Sequence, residues 1–347
     1  ASMTPSSPAS LAASQRERLR VGGPFEEALA AAFVEPAGST EGGAGAGAGA
    51  GAGPGPGTGG LRVLQWNCLA DGLAQRGGFA RCPPGALEWG PRRVGLEAEL
   101  GRAGADLIGL QEVNHFDWLR GFLAGRGYDS TFLPKSRSPC LALGFPADGL
   151  VLAWREARFE LVELWSEPYE GFGQGSSIAS LRERGSGRPL VFGTTHLKAK
   201  PEGAEAREQQ AHQLAARLAE AAAAAGTGDV IVTGDFNEGP GGQVLRVLEG
   251  GAVCGLVDAC RGWAANGDAA GAPFTTWKWR SAPPGGASGE GGPDVEKRAW
   301  IDFVLAAGAP RPRARLALPR AAAVGPAGLP CPAYPSDHLA LVLEFAW

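Results

Sequence analysis

An α+β sandwich is the fold class this sequence predicts, and three observations carry the prediction. Beyond residue 60, strand-like runs clearly outnumber helical patterns. Many of those runs are separated by short turns rather than by helices, which disfavours a doubly wound parallel sheet. Two runs, "RPLVFGTTHL" and "GDVIVTGDFN", are continuously apolar, as strands covered on both faces are.

The elements follow in order. Residues 1–40 form a Ser- and Arg-containing tail expected to be mostly disordered, with one short helix in "PFEEALAAAF". Residues 41–60, "EGGAGAGAGAGAGPGPGTGG", hold 11 glycines in 20 positions, a composition that loses too much conformational freedom on folding to be anything but a flexible tether. The folded domain is therefore expected over 61–347. It opens with an alternating strand at 61–67, "LRVLQWN", followed by a helix at 89–103 and an apolar strand at 106–111. A helix at 115–126 precedes strands at 128–133, 148–154, 158–165 and 189–196. The long helix at 202–225 is stopped by Gly226, and strands at 229–234, 298–305 and 337–345 complete the set. No repeat of 20–50 residues is visible.

Composition narrows the function. With 347 residues, 44% of them apolar, the chain can bury a large core. A net charge of −4 excludes a protein that coats nucleic acid through bulk charge, so any nucleotide contact must come from a local Lys/Arg cluster. Six cysteines without a CxxC pair, and only four histidines, disfavour a structural zinc site. That cysteine usage suits a reducing compartment. No apolar run is long enough for a membrane helix. An intracellular location, cytoplasmic or organellar, is expected; the Ser/Arg-rich start weakly resembles a transit segment for mitochondrion or plastid.

The chemistry lies in polar residues beside apolar runs. Asn67, Glu112, His196, Asp235, Asn237, Asp302, Asp337 and His338 all sit at or next to strand ends. Each alone reads as a turn or cap residue. Together they imply one pocket at a shared sheet edge. Magnesium, with manganese as the alternative, prefers oxygen ligands and is held by one or two carboxylates plus substrate phosphate. Glu112 is the first ligand candidate and Asp337 the second. Asp235 is the natural group to orient and deprotonate water, and Asn67 and Asn237 can donate to phosphate oxygens. His196 and His338 can stabilise developing charge, with Asp302 fixing a histidine tautomer. Lys135, Arg137, Lys198, Lys200, Lys278 and Arg280 border these strands as an anion-binding rim. An extended backbone after His196 would turn Lys198 and Lys200 to the same side. Trp277 and Trp279 can stack a base or pack between layers. Asp148 reads as a turn residue, His115 as a helix start, His212 as surface, and Cys140 as packing.

The ordered pieces "QWN", "LQEV", "THLK", "GDFN", "DF" and "SDHLAL" resemble the endonuclease/exonuclease/phosphatase superfamily from about Leu61 to Trp347. "CPPGALEW", "GYDSTFLPKSRSPC", "PADG", "THLKAK" and "FTTWKWR" are similar to its nocturnin branch and, less so, to deadenylases of the carbon-catabolite-repressor type. The resemblance implies a DNase-I-like fold, a four-layer α/β/β/α sandwich. It implies a metal ligand at Glu112, phosphate-pocket roles for Asn67, Asp235, Asn237, His196 and His338, and substrate contacts from Lys135, Lys198, Lys200 and Arg280. Lysine at 200, where nocturnins commonly carry arginine, keeps the charge but loses the bidentate fork. The Gly-rich insert at 281–293 lengthens a loop beside the expected site. The implied substrate is NADP(H), losing its 2′-phosphate; the alternative is an RNA 3′ end, shortened by a 3′–5′ exoribonuclease. No leucine-rich-repeat docking module precedes the domain. A binding module that had lost its chemistry would lack one of these groups, and none is missing.

Overall fold

The computed structural model describes residues 33–34, 60–76, 78–251, 255–261, 273–281 and 293–347. Two mixed sheets lie face to face. The first runs in the order β1 (Phe33–Val34), β14 (Arg311–Leu316), β15 (Leu341–Ala346), β2 (Gly60–Asn67), β3 (Leu107–Val113), β5 (Gly149–Arg155) and β4 (Tyr128–Pro134). The second runs β10 (Val257–Asp258), β13 (Asp302–Ala307), β9 (Val230–Asp235), β8 (Pro189–His196), β7 (Gly175–Glu183) and β6 (Phe159–Pro168). A separate ribbon pairs β11 (Thr276–Arg280) with β12 (Val295–Ala299). Helices α1 (Asp71–Gln75), α2 (Trp89–Ala103), α3 (Phe116–Ala124), α4 (Ala204–Ala225), α5 (Gln243–Gly250) and α6 (Ala321–Val324) supply the outer layers and connections.

Alternation along the strands explains the layering. In β8, Leu190 and Phe192 belong to the core between the sheets, whereas Val191 faces Leu214 and Leu218 of α4 and Leu248 of α5. On the first sheet, Leu96 and Leu100 of α2 and Leu119 and Leu123 of α3 join the core that holds Leu64, Ile108 and Leu110. The result is the four-layer α/β/β/α sandwich.

Each sheet contains one parallel pair, β2–β3 and β8–β9, and a parallel pair requires a crossover. Helices α2 and α4 lie in those crossovers. Parallel strands end at the same edge, so Asn67 stands beside Gln111 and His196 beside Asp235, with Asp302 opposite Asp235 on the antiparallel side.

The sheets are joined by a buried polar layer as well as by apolar packing. Gln65 Nε2 donates to Gln111 Oε1 at 2.6 Å and to Asp302 Oδ1 at 3.1 Å, and Gln111 Nε2 donates to Thr194 Oγ1 at 2.9 Å. Gly109 lies in this layer: a Cβ there would stand 2.1 Å from Thr233 Oγ1.

Several elements depart from expectation. β7 has no sequence signal because "GSSIASLRE" is mostly small and polar, although Gly175–Leu181 is buried. The ribbon β11–β12, α5 and β14 are likewise additional. The strand expected at 298–305 is divided, since β12 ends at Ala299 and β13 begins at Asp302. Asp337 and His338 precede β15 rather than open it. Phe33–Val34 pairs with Arg315–Leu316, so part of the expected tail joins a sheet. The rest of the expected N-terminal helix, the tether at 41–59 and the insert at 282–292 fall outside the described residues.

Candidate active site

The asparagine that ends β2 is a further link between the two sheets. Asn67 is fully buried, and its Nδ2 donates to Glu112 Oε1 at 3.1 Å and to Asp235 Oδ2 at 3.0 Å. Its Oδ1 accepts the amide of Leu69 at 3.0 Å, an Asx turn, so the turn role is also real. Glu112 departs from β geometry with φ of 57°, at an irregularity in the β3–β5 pairing. A left-handed backbone is costly for glutamate and persists only where the surroundings impose it. Here it brings Glu112 Oε2 within 3.1 Å of the Ala70 amide.

Asp235 gathers the second half of the site. Its Oδ1 accepts the Asn237 amide at 2.9 Å, and its Oδ2 stands 3.6 Å from His196 Nε2 and 3.9 Å from His338 Nε2. Burial opposes its ionisation, but the two imidazoles and the donated hydrogen bonds hold its carboxyl below the usual range. Asn237 has φ of 52° and spends an amide hydrogen on Leu197 O at 3.1 Å, so less of it is free for a phosphate than expected.

Asp302 and His338 form a buried pair, Oδ2 to Nδ1 at 2.9 Å. Burial disfavours the imidazolium, yet the Asp302 carboxylate outweighs it and raises His338 to about 9. Burial also pushes Asp302 up. Gln65, Thr275 and His338 all point hydrogen-bonding groups at that carboxylate, so the shared proton rests on His338.

The cationic residues divide into those that reach the site and those that do not. Lys135 lines a cleft with Glu112, Asp148, Gln174 and His196. Its Nζ lies 3.8 Å from Asp148 Oδ2, and Ser138 donates to Oδ1 of the same aspartate. Asp148 therefore anchors a cleft lysine, a role the turn reading missed. Lys278 donates to Asp337 and sits 3.5 Å from His338 Nε2, closer to the centre than Arg280, which lies 3.9 Å from Asp337 and stacks on Phe79. Lys198 is exposed. Lys200 has φ of 76° and pairs with Glu202 at 3.9 Å on the surface. The extended path expected after His196 thus fails at Lys200, because the chain turns there into α4.

Asp337 also differs from its expected part as a second metal ligand. Burial opposes its charge, but Lys278, His338 and Arg280 hold its carboxyl well below the usual range. An acid so committed to two cations is a poor partner for Glu112. Trp277 is buried against Phe274, not presented to a base. His115 starts α3 and stacks on Trp89 with centroids 3.8 Å apart. His212 is exposed, and burial pushes the Cys140 thiol up to about 11, as packing residues require.

Two donor sets compete for a cation. Asp235, Asp302 and His338 place ligand atoms within 4.8 Å of one another. Asp302 already accepts from Gln65, Thr275 and His338, and His338, held as the imidazolium, has no lone pair to give a cation. Glu112 is the better fit to a magnesium-like ion: a half-buried carboxylate facing a polar cleft, an oxygen-only donor with space for water and phosphate.

Residues 64–338 match the profile of the Endonuclease/Exonuclease/phosphatase family. Nocturnin of Xenopus laevis is 33% identical over 294 residues, covering 82% of this chain and 72% of the frog protein. Nocturnin of Homo sapiens is 33% identical over 296 residues, covering 83% of this chain and 65% of the human protein. The solved human nocturnin catalytic domain with bound sulfate aligns with a TM-score of 0.64 at 29% identity, over 82% of this chain and 93% of that one. Sheet order, strand-end chemistry and these likenesses converge on one assignment: the chain belongs to the endonuclease/exonuclease/phosphatase family of phosphoester hydrolases.

Proposed function

We propose that the chain removes the 2′-phosphate of NADP(H), assisted by a divalent cation, magnesium by preference, held at Glu112. The observation that carries this reading is the cleft with Glu112 and His196 on its wall and a single anchored lysine, Lys135. One lysine suits a single phosphate group better than a run of phosphates along a polynucleotide. The sulfate bound in the related human structure, an anion of phosphate's shape, fits a phosphoester substrate of either kind.

When bound, the cation would neutralise charge on the phosphoryl oxygens. The chain's own residues supply the rest. Asp235, kept ionised by His196 and His338, orients and deprotonates the attacking water. His338, charged through Asp302, donates to a non-bridging oxygen as negative charge builds there. Asn67 holds Glu112 and Asp235 in fixed relation, and Lys135 attracts the phosphate.

The second reading, a 3′–5′ exoribonuclease, draws on Lys278, Arg280 and Arg298 in the β11–β12 ribbon. Those cations are occupied within the fold: Lys278 on Asp337, Arg280 over Phe79, Arg298 over Phe274 and Trp277. They leave little for a phosphate chain. The deciding experiment measures phosphate release from NADPH and AMP release from oligo(A) with one preparation, in magnesium and after chelation. Magnesium-dependent phosphate release, abolished in Glu112→Ala, is expected. Preferential AMP release would refute the nucleotide reading, and full activity of Glu112→Ala would remove the metal assignment.

A further inference from the structure

We propose that Arg92 is a positioning residue that clamps the two catalytic loops together. Arg92 lies in the first turn of α2 and is 1% exposed. Its guanidinium is not paired closely with any carboxylate; the nearest, Asp71 Oδ1, is 3.8 Å from Nη1. The fork is directed at backbone carbonyls instead. Nε donates to Pro335 O at 2.8 Å, and Nη2 donates to Cys68 O at 2.7 Å and to Leu69 O. Cys68 and Leu69 follow Asn67 directly, and Pro335 immediately precedes the Ser336–His338 turn. One buried cation thus ties the β2 exit loop to the loop that carries Asp337 and His338.

Two further observations place this contact in the reaction apparatus. Leu69 has φ of 56°, a conformation a leucine keeps only where its surroundings impose it. Arg92 donates to the carbonyl of that residue, whose amide is bonded to Asn67 Oδ1. Ser336 completes the tie: its Oγ donates to Asn67 O at 2.6 Å and accepts the His338 amide at 3.1 Å. Asn67 and His338, which flank Asp235 from different loops, therefore keep their spacing through Arg92 and Ser336. Lysine cannot replace the fork, because an ammonium is a point donor and cannot span carbonyls on both loops.

The inference rests on the phosphoester site but not on its substrate, and the test separates the two. Hydrogen exchange is followed in Arg92→Lys at the Leu69, Ala70 and His338 amides, whose acceptors are Asn67, Glu112 and Ser336. All three amides should lose protection together while the core of α2 and β3 keeps its own. With NADPH as probe, kcat should fall about 10²-fold with KM changed less than about twofold, as misplacement of reacting groups predicts. Unchanged protection at the three amides overturns the clamp. So does loss spread evenly over α2 and the first sheet, which marks an ordinary core residue. If Arg92→Lys does not fold, Arg92→Gln, whose amide can still donate to one loop but not span both, carries the same readout at the same three amides. Absence of NADPH turnover in the unaltered protein would count against the proposed substrate, and the exchange result would still decide the clamp.

Discussion

Replacing Asp302 with asparagine isolates the electrostatic part of the mechanism. The side chain is fully buried and accepts from Gln65, Thr275 and His338. Its charge is what lifts His338 from 6.5 to about 9 against the pull of burial. That lift corresponds to roughly 3 kcal/mol of preference for the imidazolium. At pH 8 the histidine is then about nine-tenths protonated, and without the carboxylate about one-thirtieth or less. Asp235 is ionised throughout this range, so the base does not confound the comparison. Saturating initial rates with NADPH and magnesium should therefore separate the two proteins by about thirty-fold or more at pH 8 and by less at pH 6. The His338 imidazole resonances, followed by NMR, should show the lowered titration directly. A wild-type-to-variant rate ratio that is flat between pH 6 and 8 would refute the argument that His338 acts as a cation held charged by Asp302. A stability cost of about 1–3 kcal/mol should accompany the change, because an amide hydrogen would face the Gln65 donor.

Other outcomes follow from the same geometry. His338 is raised in the folded state, so its contribution to stability is fully present below pH 6.5 and disappears as pH rises through about 9; the urea midpoint should decline over that window, and less so in His338→Gln. Gly109→Ala places a Cβ 2.1 Å from Thr233 Oγ1 and should cost about 1–3 kcal/mol by forcing the sheets apart, read as a lower Tm. Lys135→Ala should raise KM for NADPH severalfold, whereas Lys200→Ala, whose lysine is 76% exposed on Glu202, should leave both constants unchanged.

Much of the site was legible because its members end apolar runs. Asn67, Glu112, His196, Asp235 and Asp302 are each marked by a strand signal immediately before or around them, and parallel pairing then gathers strand ends at one edge. Lys278 was visible only as one cation among several, and nothing local distinguished it from Arg280. Asp337 looked like a ligand because an unpaired acid beside a histidine reads that way; its partner arrives from the β11–β12 ribbon, 59 positions away. Asp148 looked like a turn residue because its lysine is reached only across the β4–β5 pairing.

By itself the sequence determined the sandwich class, the ordered strand-end acids, amides and imidazoles, and with them the chemistry of phosphoester cleavage. These are properties of residue type and short-range periodicity, which act over a few positions. The tertiary structure alone decided which groups meet: Asn67 between Glu112 and Asp235, Gln65 behind Asp302, and Arg92 across two loops. It also decided the left-handed backbones at Leu69, Glu112 and Asn237. Such features depend on partners up to 243 positions distant, as for Arg92 and Pro335, and on strain that only the assembled core can hold.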